Sequence, residues 1–170
     1  MRHSVQVVLR AAFPALFAAA AAAAERSSDW PNVDPRIAPG LRSVLAQAAA
    51  RFEDPACSAV LRDFSDSRTG RPLAETLAGN GLEPASWLRA IYFVSGNGHA
   101  GCARPETLAY TPVGSPVVFV CPVGFGKYRR AERGFAANVL IHEALHTLGL
   151  AENPPSSWEI TLRVEARCGR

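Results

Sequence analysis

Val139-Leu140-Ile141-His142-Glu143-Ala144-Leu145-His146-Thr147-Leu148-Gly149-Leu150 carries two histidines four positions apart, with a glutamate directly after the first. On a helix, positions four apart share a face. With His142 set at 0° and about 100° per residue, His146 falls at roughly 40° and Glu143 at roughly 100°. Ala137, Leu140, Ala144, Ile141 and Leu148 gather on the opposite side. The reading is a helix with one apolar face turned inward and another presenting two imidazoles and a carboxylate. That grouping suits Zn²⁺ held by two nitrogens, with Glu143 placed to take a proton from a water on the metal. Gly149 marks where the helix stops.

Outward from this helix, the preceding segment has a β pattern. Ile91-Tyr92-Phe93-Val94 is β-branched and aromatic and reads as a buried strand. Residues 108–111 and 117–121 flank Pro112-Val113-Gly114-Ser115-Pro116 and read as a β-hairpin. Residues 125–134 are basic and glycine-punctuated, a connection leading into the His142 helix from about Phe135. Earlier, Leu41, Val44, Leu45, Ala48 and Phe52 have helical spacing. Residues 57–64 are ambiguous, and 73–77 form a short helical candidate. After Glu152-Asn153-Pro154-Pro155, the run Ser156-Ser157-Trp158-Glu159 has the form of a capping box opening a last helix to about Cys168. Helices, then strands, then the histidine helix make an α+β domain.

Residues 1–24 read as a signal peptide: Arg2, His3 and Arg10 form a basic start, an alanine-rich apolar run follows, and Ala22-Ala23-Ala24 offers small residues for cleavage. The run is short for a membrane span, so no stable insertion is expected once it is removed. Residues 25–170 then form a single domain in a secreted or periplasmic protein. All four cysteines (Cys57, Cys102, Cys121 and Cys168) come after the leader, an even number that fits two disulfides in an oxidising compartment. No C-x-x-C occurs, so their spacing is not that of a zinc knuckle. Three connectivities are possible. Cys102 precedes the hairpin and Cys121 closes its second strand, which favours Cys102–Cys121 and leaves Cys57–Cys168. The net charge of +3 comes with no basic run interleaved with aromatics, and this argues against a nucleic-acid partner.

The residues I-H-E-A-L-H-T-L-G-L resemble the active-site helix of the zincin metallopeptidases over about a dozen positions. The resemblance implies a short twisted sheet packed on that helix, with further helices at both ends of the domain. It also implies a strand bordering the substrate cleft, for which the 108–121 hairpin is the natural candidate. Activity would be peptide-bond hydrolysis on a peptide or protein substrate, by a zinc-bound water with Glu143 as general base, in a monomer. The alternative is a secreted zinc-binding structural or interaction domain without turnover.

For the third ligand the sequence offers two glutamates. Glu152 gives H-E-x-x-H-x-x-G-x-x-E, similar to the metzincin spacing with glutamate in place of histidine or aspartate. Here Gly149 in a left-handed conformation would turn the chain back beneath the histidines. Glu165, nineteen residues after His146, is similar to the gluzincin pattern, in which a later helix supplies the ligand. Glu152 is favoured because the short turn needs no particular docking of the last helix. Glu159 is accounted for by the capping box. The metzincin methionine turn has no counterpart, since the sole methionine is Met1. His99 in its glycine-rich loop, Tyr110 and Tyr128 are more ordinary as surface or core residues.

Overall fold

The His142 helix lies at the centre of the fold, touched by elements from both ends of the chain. The structure, a computed structural model, describes residues 30–131 and 133–169. The proposed signal peptide, residues 1–24, lies outside them. The chain divides into Met1–Pro31 and Asn32–Arg170, and among the described residues the helices and strands lie in the second unit.

Helix α1 (Ala38–Glu53) begins with Pro39 in its first turn and buries Leu41, Val44, Leu45, Ala48, Ala49 and Phe52. That stripe is the one its 3.6-residue spacing announces. Two short helices, α2 (Pro55–Ser58) and α3 (Val60–Asp63), resolve the ambiguous stretch. Asp54 caps α2 by accepting from the Ala56 amide at 2.8 Å, and Pro55 fills the first helical position, where no amide hydrogen is needed. Helices α4 (Leu73–Gly79) and α5 (Pro84–Ala90) come next.

Among the described residues the sheet has three strands: β1 (Tyr92–Ser95), β2 (Ala109–Tyr110) and β3 (Val117–Val120), in the order β1-β3-β2. β2 and β3 pair antiparallel, Ala109 with Val120 and Tyr110 with Phe119, while β1 lies parallel to β3. β1 is shifted by one residue from the expected Ile91 start and is half-buried rather than buried: Phe93 is inside, but Tyr92 is 51% exposed. Its outer edge is covered by residues 32–34, through Phe93 N–H to the Asn32 carbonyl and Asp34 N–H to the Phe93 carbonyl, both 2.9 Å. β2 is the other edge of the sheet.

The stretch 125–134, expected to be a connection, is instead largely helical, and most of it belongs to helix α6 (Pro122–Ala131). Pro122 opens it, and Gly124 permits a contact that any side chain would block. A Cβ there would stand 2.2 Å from the Thr107 carbonyl oxygen. Tertiary contact thus overrides the low helix propensity of Gly124 and Gly126.

Helix α7 (Arg133–Thr147) carries the motif. It meets α1, α6, β2, β3 and the last helix, α8 (Ser157–Cys168). The one-sided burial expected from its sequence is not what the fold shows, because α7 is buried on both faces. Ala136, Ala137, Leu140, Ile141, Ala144 and Leu145 are in the core, and Asn138, His142, Glu143, His146 and Thr147 are buried too. Arg51 of α1 donates to the Gly134 carbonyl at 2.9 Å and to the Asn138 side chain, tying α1 to the start of α7. α8 opens with the capping box read in the sequence: Glu159 N–H donates to Ser156 Oγ, and Ser156 N–H donates to Glu159 Oε2 at 2.8 Å.

Two disulfides close the structure, Cys57–Cys168 and Cys102–Cys121. The first ties α2 to the end of α8, where Arg167 also forms a two-pronged pair with Asp63, both contacts at 2.9 Å. Two disulfides suit an oxidising compartment. No helix among the described residues is long and apolar enough to cross a membrane. Replacing Cys57 and Cys168 together by alanine is expected to cost about 2–4 kcal/mol of unfolding free energy, mainly by freeing the unfolded chain. Urea unfolding of the variant beside the parent measures it, and an unchanged midpoint would show that the crosslink adds nothing.

Candidate metal centre

The end of α7 forms the site. Leu150 N–H donates to the Leu145 carbonyl at 3.2 Å and Gly149 N–H to the His146 carbonyl at 3.0 Å. This pair of bonds is the glycine-terminated reversal known as a Schellman motif. Gly149 has φ of 103°, a left-handed conformation that side chains resist. The chain turns back on itself there and returns Glu152 to the face that carries His142 and His146.

His142 Nε2 and His146 Nε2 lie 3.0 Å apart. Glu152 Oε1 lies 3.7 Å from the first and 3.5 Å from the second. A point roughly 2 Å from all three atoms therefore exists, the bond length of a divalent transition metal to imidazole nitrogen or carboxylate oxygen. The three residues form a group that could hold a metal ion.

The imidazoles are oriented from behind. His146 Nδ1 stands 2.7 Å from the Leu150 carbonyl oxygen. A carbonyl only accepts, so the ring hydrogen is on Nδ1 and the Nε2 lone pair points to the centre. His142 Nδ1 lies 3.1 Å from Thr161 Oγ1 on α8. Such outer contacts fix tautomer and ring angle in metal sites. The His142 imidazole beside Glu152 holds its carboxyl down to about 2, helped by the Ser157 hydroxyl and His146 and opposed by burial. Glu152 is thus ionised and available as a ligand.

Glu143 has a different environment. It is 7% exposed, and its Oε2 has no hydrogen-bond partner among the described residues. Burial pushes its carboxyl above the usual range, while His142, His146 and the Thr111 hydroxyl pull the other way. Thr111 Oγ1 is also buried without a full hydrogen bond. It is near enough to favour the ionised carboxyl, but its geometry falls short of a bond. An orphaned buried carboxylate oxygen is costly, and Glu143 is one of the residues lining the cleft, with Thr107, Ala109, Tyr110, Thr111, His142 and His146.

The other residues singled out from the sequence have separate places. Glu165 is exposed on α8 and stands outside the metal group; Thr161, one turn earlier, is the α8 residue that meets His142. His99 stacks on the Phe119 ring at 4.0 Å, and its Nδ1 accepts from the Gly101 amide. Tyr110 lines the cleft, whereas Tyr128 packs near Phe135. Thr161, Thr111 and the Leu150 carbonyl were not found by sequence reasoning. Only the Leu150 carbonyl had a signal, as the residue after a helix-ending glycine.

No protein-family profile, curated protein or solved structure matches the chain significantly. We expect Thr161→Val to weaken metal binding about ten- to a hundredfold while leaving the thermal midpoint of the metal-free protein nearly unchanged. Competition with a chromogenic chelator measures the first and a thermal melt the second; unaltered affinity would remove Thr161 from the site.

Proposed function

We propose that the chain is an exported zinc-dependent peptidase of zincin type, with His142, His146 and Glu152 as the zinc ligands. The observation that carries this reading is the orphaned oxygen of Glu143 beside the converging histidines. A site built only to hold a metal has no need of a fourth polar residue that lines the cleft and carries a buried oxygen without a partner.

Bound there, Zn²⁺ would polarise a substrate carbonyl and make water acidic enough to lose a proton near neutral pH. The protein supplies the rest. Glu143 accepts the proton from the attacking water and delivers it to the departing amine. Ser157 and Thr161 restrain Glu152 and His142 from α8, and the Leu150 carbonyl restrains His146. β2 is an edge strand whose residues line the same cleft. An extended peptide is suited to add along it, with its backbone paired and its scissile bond over the histidines. The substrate class is therefore a peptide or an extended segment of a protein, met outside the cytoplasm.

The rival reading is a secreted zinc-binding structural or interaction domain without turnover. It shares the three ligands and leaves Glu143 idle. Glu143→Ala separates the two. We expect it to keep its zinc and lose peptide-cleaving activity about 10²–10⁴-fold, whereas His146→Ala loses the metal. Cleavage of a peptide library by zinc-loaded protein, with metal content measured alongside, provides the readout. Zinc-loaded parent protein that cleaves nothing would favour the rival.

A further inference from the structure

Glu152 is the one ligand not held within a helix. Residues 149–152 leave the end of α7, and the backbone bonds that α7 makes to them stop at Leu150. The bonds from outside α7 to the backbone of this segment, among the described residues, come from a turn some eighty positions earlier in the chain. Ser67 N–H and Ser67 Oγ both donate to the Gly149 carbonyl, each at 3.0 Å. A carbonyl with two donors on its two lone pairs is fixed in direction as well as position.

The turn that presents Ser67 is itself rigidly made. Asp66 is buried. Its Oδ1 accepts from Arg68 N–H at 2.9 Å and its Oδ2 from Thr69 Oγ1 at 2.9 Å. Its backbone closes the loop through Gly70 N–H to the Asp66 carbonyl at 2.8 Å and Asp66 N–H to the Arg71 carbonyl at 2.9 Å. These four bonds lie within the turn itself and brace it locally. It also presses on the reversal from the other side, because a Cβ on Gly149 would lie 2.5 Å from Asp66 Oδ1. The peptide at Gly149 is therefore held by Ser67 on its carbonyl, and the Asp66 carboxyl leaves no room for a side chain on its α-carbon. One residue on, the Leu150 carbonyl accepts from His146 Nδ1. Two residues beyond that, the Glu152 carboxylate stands against both Nε2 atoms.

We infer that Ser67 is a positioning residue for the third metal ligand: by fixing the Gly149 carbonyl it sets where Glu152 meets the two histidines. The inference rests on the proposed metal centre and adds to it the device that holds the ligand not borne by a helix. The hydroxyl contributes direction that the Ser67 amide alone does not supply. Its loss leaves the imidazoles in place and lets the carboxylate drift, and a small drift is enough to weaken a metal site.

The test is a double-mutant cycle on zinc affinity in the full chain, read by competition with a chromogenic chelator. Ser67→Ala is expected to lower affinity about tenfold, and Ser67→Thr, which keeps the hydroxyl, to restore it. In a Glu152→Gln background, Ser67→Ala is expected to cost nothing further, since the ligand it positions is already gone. A second readout needs no metal. In metal-free Ser67→Ala, amide hydrogen exchange should quicken over residues 148–153 and stay slow inside α7. An equal loss in both backgrounds, no loss in either, or faster exchange throughout α7 overturns the inference. Zinc affinity weakened by Glu152→Gln but not by Ser67→Ala overturns it while leaving Glu152 as a ligand. Affinity unmoved by Glu152→Gln overturns the ligand assignment itself, and the role of Ser67 with it.

Discussion

A single left-handed residue, Gly149, sets the arrangement of the site. Had α7 continued, residues 149–152 would rise away from the histidines along the helix axis at about 1.5 Å per residue. The reversal at φ of 103° instead folds three residues back beneath the last turn. It places the Leu150 carbonyl behind His146 and the Glu152 carboxylate in front of it. One backbone event thus supplies both an orienting acceptor and a third candidate ligand. The loop after β2 uses the same helix end, through Gly114 N–H to the His146 carbonyl at 2.8 Å. The cleft wall and the metal group are therefore registered on a common peptide.

This arrangement carries an energetic cost that the rest of the fold offsets. α7 buries Asn138, His142, Glu143, His146 and Thr147 among its apolar residues, and an unpaired buried polar group costs on the order of 1–3 kcal/mol. Four of the five are paired. Arg51 meets Asn138, Thr161 meets His142, the Leu150 carbonyl meets His146, and Thr147 accepts from the Trp87 indole at 2.9 Å while donating to Ala144. The partners come from α1, α5, α8 and the reversal, so satisfying one helix recruits elements from along the chain. Glu143 is the exception. A fold that pairs the other four and leaves one oxygen of this carboxylate without a partner among the described residues places that cost where the proposed chemistry needs a base.

Much of this was legible in the sequence, and the failures share a cause. The spacing of His142, Glu143 and His146 announced their common neighbourhood because a helix is local geometry. Gly149 with Glu152 three residues on was also a local reading, and the structure brings Glu152 to the histidines. The capping box at Ser156 was readable for the same reason. What escaped depended on docking. Both faces of α7 are buried because α8 and the sheet cover the polar side, a fact that an amphipathic pattern cannot contain. Helix α6 was hidden by Gly124 and Gly126, and at Gly124 the glycine answers to the close approach of the Thr107 carbonyl. Thr161 and Ser67 lie far from His142 and Gly149 in sequence, so their roles appear only once α8 and the Asp66 turn are in place.

The central claim is that two imidazoles from α7 and one carboxylate from the reversal converge on one metal ion. Zinc K-edge X-ray absorption on protein loaded with one equivalent of zinc tests it most directly. Such a centre gives a shell of nitrogen and oxygen donors at about 2.0–2.1 Å, with the multiple-scattering signature of two imidazoles and an oxygen contribution that changes in Glu152→Gln. A shell containing sulfur, fewer than two imidazoles, or a spectrum unaltered by Glu152→Gln would contradict it.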